Sequence, residues 1–248
     1  MLALFTIGVI VAFGACLQRV SGLGLGLVAG PVMAVIIGPI EGILVVNVIS
    51  VFNAAISTAS VHKDIDWPQF RIIAIMLILG AIPATVLLKY VPVSVVLTIV
   101  ALILLASLSL VTFAQKKIPH FSGRIPAVVA GIVSGFSNSL SGASGPVMTI
   151  YAQATRWEQK PFAATLQPVF FSAALVSILV KALFGTAHLP DTSLWVWPVC
   201  VVSMVLGNFL GARMAPHIAK GTARKFALVV AFGGAFVVLY KGLSGLFA

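Results

Sequence analysis

Residues 139–148 read SLSGASGPVM and residues 21–33 read SGLGLGLVAGPVM, so the tetrad Gly30-Pro31-Val32-Met33 returns as Gly145-Pro146-Val147-Met148. In both copies an apolar segment runs into small residues, breaks, and restarts with a proline. Proline is tolerated in the first turn of a helix, where its missing N–H would have had no intrahelical partner anyway. Two broken helices at corresponding places in two halves of a chain are the sequence mark of a transporter site at membrane depth.

The composition agrees. Of 248 residues, 60% are hydrophobic and 8% charged, and the mean hydropathy is +1.17. Such a chain is an integral membrane protein. Its apolar runs exceed the ~20 residues that an α-helix needs to cross the hydrocarbon layer, and they lack the short alternating segments of a β-barrel. The first run starts at once and has no basic leader or cleavage site, so it reads as mature protein. Lys and Arg number 15 against 5 Asp and Glu. Most of these basic residues fall in short loops, where the positive-inside rule and anionic headgroups account for them and nucleic acid is not needed. Cys16 and Cys200 lie within apolar runs with no disulfide or metal spacing and read as small core residues.

The apolar segments are 1–38, 42–61, 70–88, 93–114, 125–152, 162–184, 194–215 and 225–247. These make one transmembrane domain, 1–248, of two four-segment repeats, 1–116 and 124–248. Asn47 corresponds to Gln167, and Trp67 through Gly80 to Trp195 through Gly207. Basic loops at 62–71 (Lys63, Arg71), 115–124 (Lys116, Lys117, Arg124), 153–161 (Arg156, Lys160) and 213–225 (Arg213, Lys220, Arg224, Lys225) should all be cytoplasmic. The second and third flank segment 125–152, and both stay inside only if that segment dips in and returns, folding at Ser137 to Gly145. Applied to 1–38 as well, this predicts two re-entrant Gly-Pro hairpins, six full crossings and inverted halves, with Lys89 as the main exception to the charge rule. Eight plain crossings with parallel repeats are the competing arrangement.

The paired Gly-Pro segments, the repeat and the chain length resemble the TauE/SafE sulfite exporter family, the TSUP permeases, over essentially the whole chain. The resemblance implies a permease of the bacterial inner membrane for sulfite, sulfonates or related organosulfur anions. Arg19 has no match in the family's pattern.

A helix that restarts inside the membrane offers unpaired N–H groups and the positive end of its dipole, which bind anions. Gly142, Ala143, Ser144 and Gly145 would leave that end open, and Ser139, Ser141 and Ser144 have hydroxyls to donate. The first copy offers Ser21, Gly22, Gly24, Gly26 and Gly30; close helix packing is the other reason for such small residues. Arg19 lies in an apolar run, where a charge is a functional candidate, and at a hairpin tip it would neutralise an anion, with snorkelling to an interface as the alternative. Asn47 and Asn53, six residues apart, project about 120° apart on a helix. With the repeat-related Gln167 and Ser172 they are further candidates, an amide pair facing one midplane cavity, with interhelical hydrogen bonding as the alternative. Asn208 and Thr165 have a weaker claim.

Lys181 ends an apolar run and is expected to snorkel to an interface. His62, His120, His188 and His217 fall beside loops without metal spacing, and Trp67, Trp157, Trp195, Trp197 and Tyr240 read as interface anchors. Asp64, Asp66, Glu158 and Asp191 sit in loops, which leaves Glu41 alone near membrane depth. So few carboxylates favour an anionic substrate over a cation, with Glu41 the candidate for proton coupling. The coupling ion, proton or sodium, stays open, as does monomer against homodimer. No nucleotide motif, cofactor motif, activated nucleophile, metal cluster or carboxylate pair is present, which excludes an ATPase and argues against an enzyme. The expectation is a secondary transporter working by alternating access, with an anion channel as the alternative.

Overall fold

Ten α-helices form from the apolar runs, and turn chemistry sets their ends. The computed structural model describes residues 2–22, 25–113, 119–187, 194–218 and 220–247; Gly24, Lys116, Lys117, His188 and Asp191 lie outside them. No strand occurs among the described residues. The first half contains α1 (Leu2–Ser21), α2 (Leu25–Ile36), α3 (Pro39–Val61), α4 (Trp67–Tyr90) and α5 (Val93–Phe113). The second contains α6 (Ile125–Ser141), α7 (Gly145–Thr155), α8 (Gln159–Leu183), α9 (Val196–Met214) and α10 (Lys220–Phe247). Asp66 caps α4, its carboxylate accepting from the Gln69 N–H at 3.1 Å. Proline occupies the opening turn of α3, α4, α6 and α7.

Both Gly-Pro segments are broken where expected, but the two breaks are not alike. Among the described residues seven helices are long and apolar enough to cross a membrane, and α1 is one of them, whereas α2 and α6 are shorter. Helix α1 runs parallel to α9: Gly8 faces Val199 and Ser203, Gly207 faces Ala12, and Gly211 faces Cys16 and Arg19. In that register Arg19 is level with the end of α9. The first limb is therefore long and apolar enough to cross a membrane by itself, longer than a re-entrant arm requires.

The second break has the shorter limbs, 17 residues in α6 and 11 in α7. Helix α6 runs parallel to α4, with Gly131 against Ile73 and Gly135 against Leu77. This register sets Ser141 beside Pro83, about 10 Å before the end of α4 at 1.5 Å per residue. The two ends of the segment meet, the Phe121 N–H donating to the Ala154 carbonyl at 2.9 Å.

Glycines set these seams because a Cβ at Gly80, Gly135 or Gly207 would run into the neighbouring backbone. Helices α3 and α8 cross the centre antiparallel, Asn47 opposite Ser177. Helices α5 and α10 are also antiparallel, Gly242 against Thr98 and Gly245 against Ser94. Each half thus lays its first helix along the fourth helix of the other, and third meets third. At the basic end Asp64, in the turn after α3, pairs with Lys160 in the first turn of α8 at 2.8 Å. At the other end Lys89 and Lys241 donate to the carbonyls of Phe184 and Val35. Large apolar side chains such as Phe5, Leu79, Phe209 and Phe236 stay exposed on the outside of the bundle, where lipid replaces water as solvent.

Candidate substrate site

The gap between α6 and α7 is built from local hydrogen bonds that leave certain groups over. Helix α6 ends at Gly142, left-handed at φ 72°, with its N–H donating to the Asn138 carbonyl, the usual glycine stop. The Ser141 hydroxyl donates to the Ser137 carbonyl and the Ser137 hydroxyl to the Ala143 carbonyl, each at 2.7 Å. Ser141 is thus spent on its own backbone. Ser139 and Ser144 are different: both hydroxyls are buried and have no hydrogen-bond partner. Ser144 lies immediately before α7, whose first N–H groups have no intrahelical acceptor.

Helix α2 closes over this break. Gly26 lies against the Gly142 carbonyl and Gly30 against the Ser141 carbonyl, so tightly that a Cβ at either would overlap the oxygen. These glycines of the first copy are packing positions that bring two broken segments together. Between them remains a cavity of about 10 Å³, with Gln18, Ser50, Asn138 and Ser144 among its lining. That is room for about one water.

Amides extend the polar seam in both directions from this chamber. Asn138 donates to Asn47 Oδ1 at 3.1 Å, and Asn47 Nδ2 donates to Ser177 at 3.0 Å. On the opposite side Gln18 Oε1 accepts from the Leu25 N–H at 2.6 Å, and its Nε2 donates to Gln167 at 3.4 Å. Asn47 and Gln167 therefore do not face one cavity: Ser177, the partner of Asn47, lies ten positions beyond Gln167 on α8, about 15 Å along the axis. Asn53 points elsewhere, as its spacing required, and pairs with Asn208. Thr165 accepts from the Asp66 N–H at 2.9 Å, and Ser172 is half-buried on α8.

Gln18 also lines a larger cavity of about 410 Å³ at the basic end, with Arg19, Ser57, Asp64, Lys160 and Gln167. Arg19 is exposed there and donates to Ser60 at 3.4 Å, so it sits at the mouth of a vestibule and not at mid-membrane depth. Ser21, beside it, donates to the Leu17 carbonyl at 2.7 Å. A further groove, about 670 Å³ between α1 and α9, is lined almost wholly by apolar side chains on the outer face.

At the far end of the seam, Lys181 overturns the expectation of snorkelling. It is 0% exposed, and its Nζ has no hydrogen-bond partner. Glu41 is half-buried in the first turn of α3 at the same end of the bundle, yet it makes no ion pair with Lys181 within 4.0 Å. Sequence reasoning missed Gln18, Ser50, Asn138 and Ser177, and dismissed Lys181. The available signal was polar residues at helical spacing inside apolar runs. Among the described residues no His, Cys, Asp and Glu cluster could hold a metal.

Helices that break inside an all-helical membrane bundle, around buried unpaired donors, define a multi-pass membrane permease. The profile of the family described as "Sulfite exporter TauE/SafE" matches residues 6–238, and the chain belongs to that family. It is accordingly a membrane transport protein of the bacterial inner membrane and not an enzyme. The chain is similar to a protein of Cupriavidus necator called "Probable sulfite/organosulfonate exporter TauE", 26% identical across 96% of this chain and 95% of that one. No solved structure matches it.

Proposed function

We propose that this protein is a secondary transporter that moves sulfite or small organosulfonates outward by alternating access between two inverted halves, 1–116 and 124–248. The observation that carries the site is the α6–α7 break, where Ser144 holds a buried, unpartnered hydroxyl immediately before α7 and lines the chamber; the Ser139 hydroxyl on α6 is likewise buried and unpartnered. Donors without acceptors suit an anion, which brings three or more oxygens and no hydrogen-bond donor of its own. The exchanged pairing of the halves, α1 on α9 and α6 on α4, supports the inverted plan. The relative from Cupriavidus necator supports the substrate class.

In this reading Arg19 and Lys160 concentrate anions in the basic vestibule. The anion passes Gln18 and Gln167 as their hydrogen bond opens, and it is taken up by Ser139, Gly142, Ser144 and Gly145, with Asn47 and Asn138 at the far side. A chamber of about 10 Å³ is too small for sulfite, so helices α2 and α6–α7 must part to load it. A chamber of about 10 Å³ without room for the anion favours a carrier over an open channel. Glu41 is the candidate for proton coupling because, among the described residues, it is the acidic one at the far end of the seam.

The test is counterflow of labelled sulfite in proteoliposomes, competed by sulfonates, sulfate, phosphate and a neutral amino acid. Exchange blocked selectively by sulfur oxyanions is expected. Absence of counterflow from folded protein, or conduction without counterflow, would defeat the carrier reading.

A further inference from the structure

We infer that Lys181 is the cation that receives the transported anion after it passes the α6–α7 break, at the end of the seam away from the basic vestibule. The inference rests on the transport reading above but on different atoms. Lys181 is 0% exposed, and its Nζ meets no acceptor. It lies one turn beyond Ser177 on the same face of α8, since side chains four apart stack on a helix. Ser177 accepts from Asn47, and Asn47 accepts from Asn138, which lines the chamber. Lys181 therefore stands one helical turn beyond the last member of a hydrogen-bonded file, Asn138, Asn47 and Ser177, that starts at the site.

A lysine amine buried with no hydrogen-bond partner, and with Glu41 acting on it only from a distance, is costly to hold in its charged form, and in membranes such residues mark substrate or ion pathways. The other cations on the path differ: Arg19 is exposed and Lys160 has Asp64, so solvent weakens their pull. Lys181 attracts an anion in a low dielectric, where attraction is strongest. Its three N–H donors suit a pyramidal or tetrahedral oxyanion, with Ser177 and Asn47 placed to hold a second oxygen. A neutral solute brings no charge to offset the cost and is rejected, which gives the site a preference for anions of the sulfite and sulfonate class.

The experiment uses the full chain in proteoliposomes and in detergent, comparing wild type, Lys181→Met and Lys181→Arg. Two readouts are taken with sodium sulfite as the probe: the half-saturating concentration for counterflow, and the rise in melting temperature. Lys181→Met removes an unpaired buried charge and keeps the volume, so it should melt no lower than wild type. It should also lose the sulfite-dependent rise and weaken half-saturation at least a hundredfold. Lys181→Arg, which keeps the charge, should retain part of both. A Lys181→Met protein that responds to sulfite like wild type overturns the inference. So does one that is destabilised and is restored by adding Glu41→Gln, because Lys181 would then be a structural partner of Glu41. If Lys181→Met does not fold, Lys181→Arg decides: sulfite half-saturation unchanged from wild type overturns the inference, and a shift of tenfold or more sustains it. A wild type without any sulfite response refutes the transport reading itself.

Discussion

Replacing Gly26 by alanine should separate α2 from the α6–α7 break, and the cost follows from what the new methyl would meet. Its Cβ would overlap the carbonyl oxygen of Gly142, with the carbonyl carbon at 2.7 Å. That carbonyl cannot turn aside cheaply, because Gly142 is held left-handed at φ 72° by the cap on α6. The helix must move instead, which also loosens Gly30 from Ser141. Overpacking against backbone lies at the upper end of about 1–3 kcal/mol. Alanine returns about 1 kcal/mol of helix propensity, which leaves a net loss of about 2 kcal/mol. For a chain of this length that is a fall of about 4–8 °C in melting temperature. Gly233→Ala is the control: α10 has open space around that position, so the propensity gain stands alone and stability is unchanged or higher by about 1 kcal/mol. Thermal melts in one detergent, followed by tryptophan fluorescence, read the difference. If Gly26→Ala melts with or above Gly233→Ala, the close approach of α2 to the break is wrong.

Three further outcomes are expected. Asn47→Asp keeps the acceptor for Asn138 and places a negative charge one hydrogen bond behind a residue that lines the chamber, and like charges ~6 Å apart repel by about 3 kcal/mol at an effective dielectric near 20; sulfite half-saturation should weaken about a hundredfold, and unchanged affinity would remove Asn47 from the path. Ser144→Ala should weaken sulfite about tenfold or more by deleting a hydrogen bond to a charged group, while Ser141→Ala, whose hydroxyl serves the Ser137 carbonyl, should weaken it less; the reverse order in a counterflow titration would reject this division of roles. Single cysteines at positions 120 and 156, in a background with Cys16 and Cys200 replaced, should both react with an impermeant maleimide from the same face, because Phe121 and Ala154 are bonded together; labelling from opposite faces would show α6 and α7 to be a plain crossing.

The sequence by itself determined the membrane class, the helical content and the places where two helices break, because hydropathy and Gly-Pro chemistry are local properties of the chain. It also placed the basic loops at one end, since loop charge responds to topology and not to packing. It singled out Ser139, Ser144, Gly142 and Gly145 because small and hydroxylated residues in an apolar run are conspicuous. What it could not decide depended on partners distant in the chain. Ser141 and Ser144 read alike until the fold gave one hydroxyl a carbonyl and left the other bare. Arg19 read as a mid-membrane charge until the register of α1 on α9 carried it to the vestibule mouth. Gly26 and Gly30 proved to be packing positions only once Gly142 and Ser141, more than a hundred residues away, lay against them. Lys181 read as a snorkelling residue because a helix end predicts an interface only when no other helix covers it. The tertiary structure buries that side chain, since whether a charge meets solvent, a partner or neither is a property of the neighbours that the fold assembles around it.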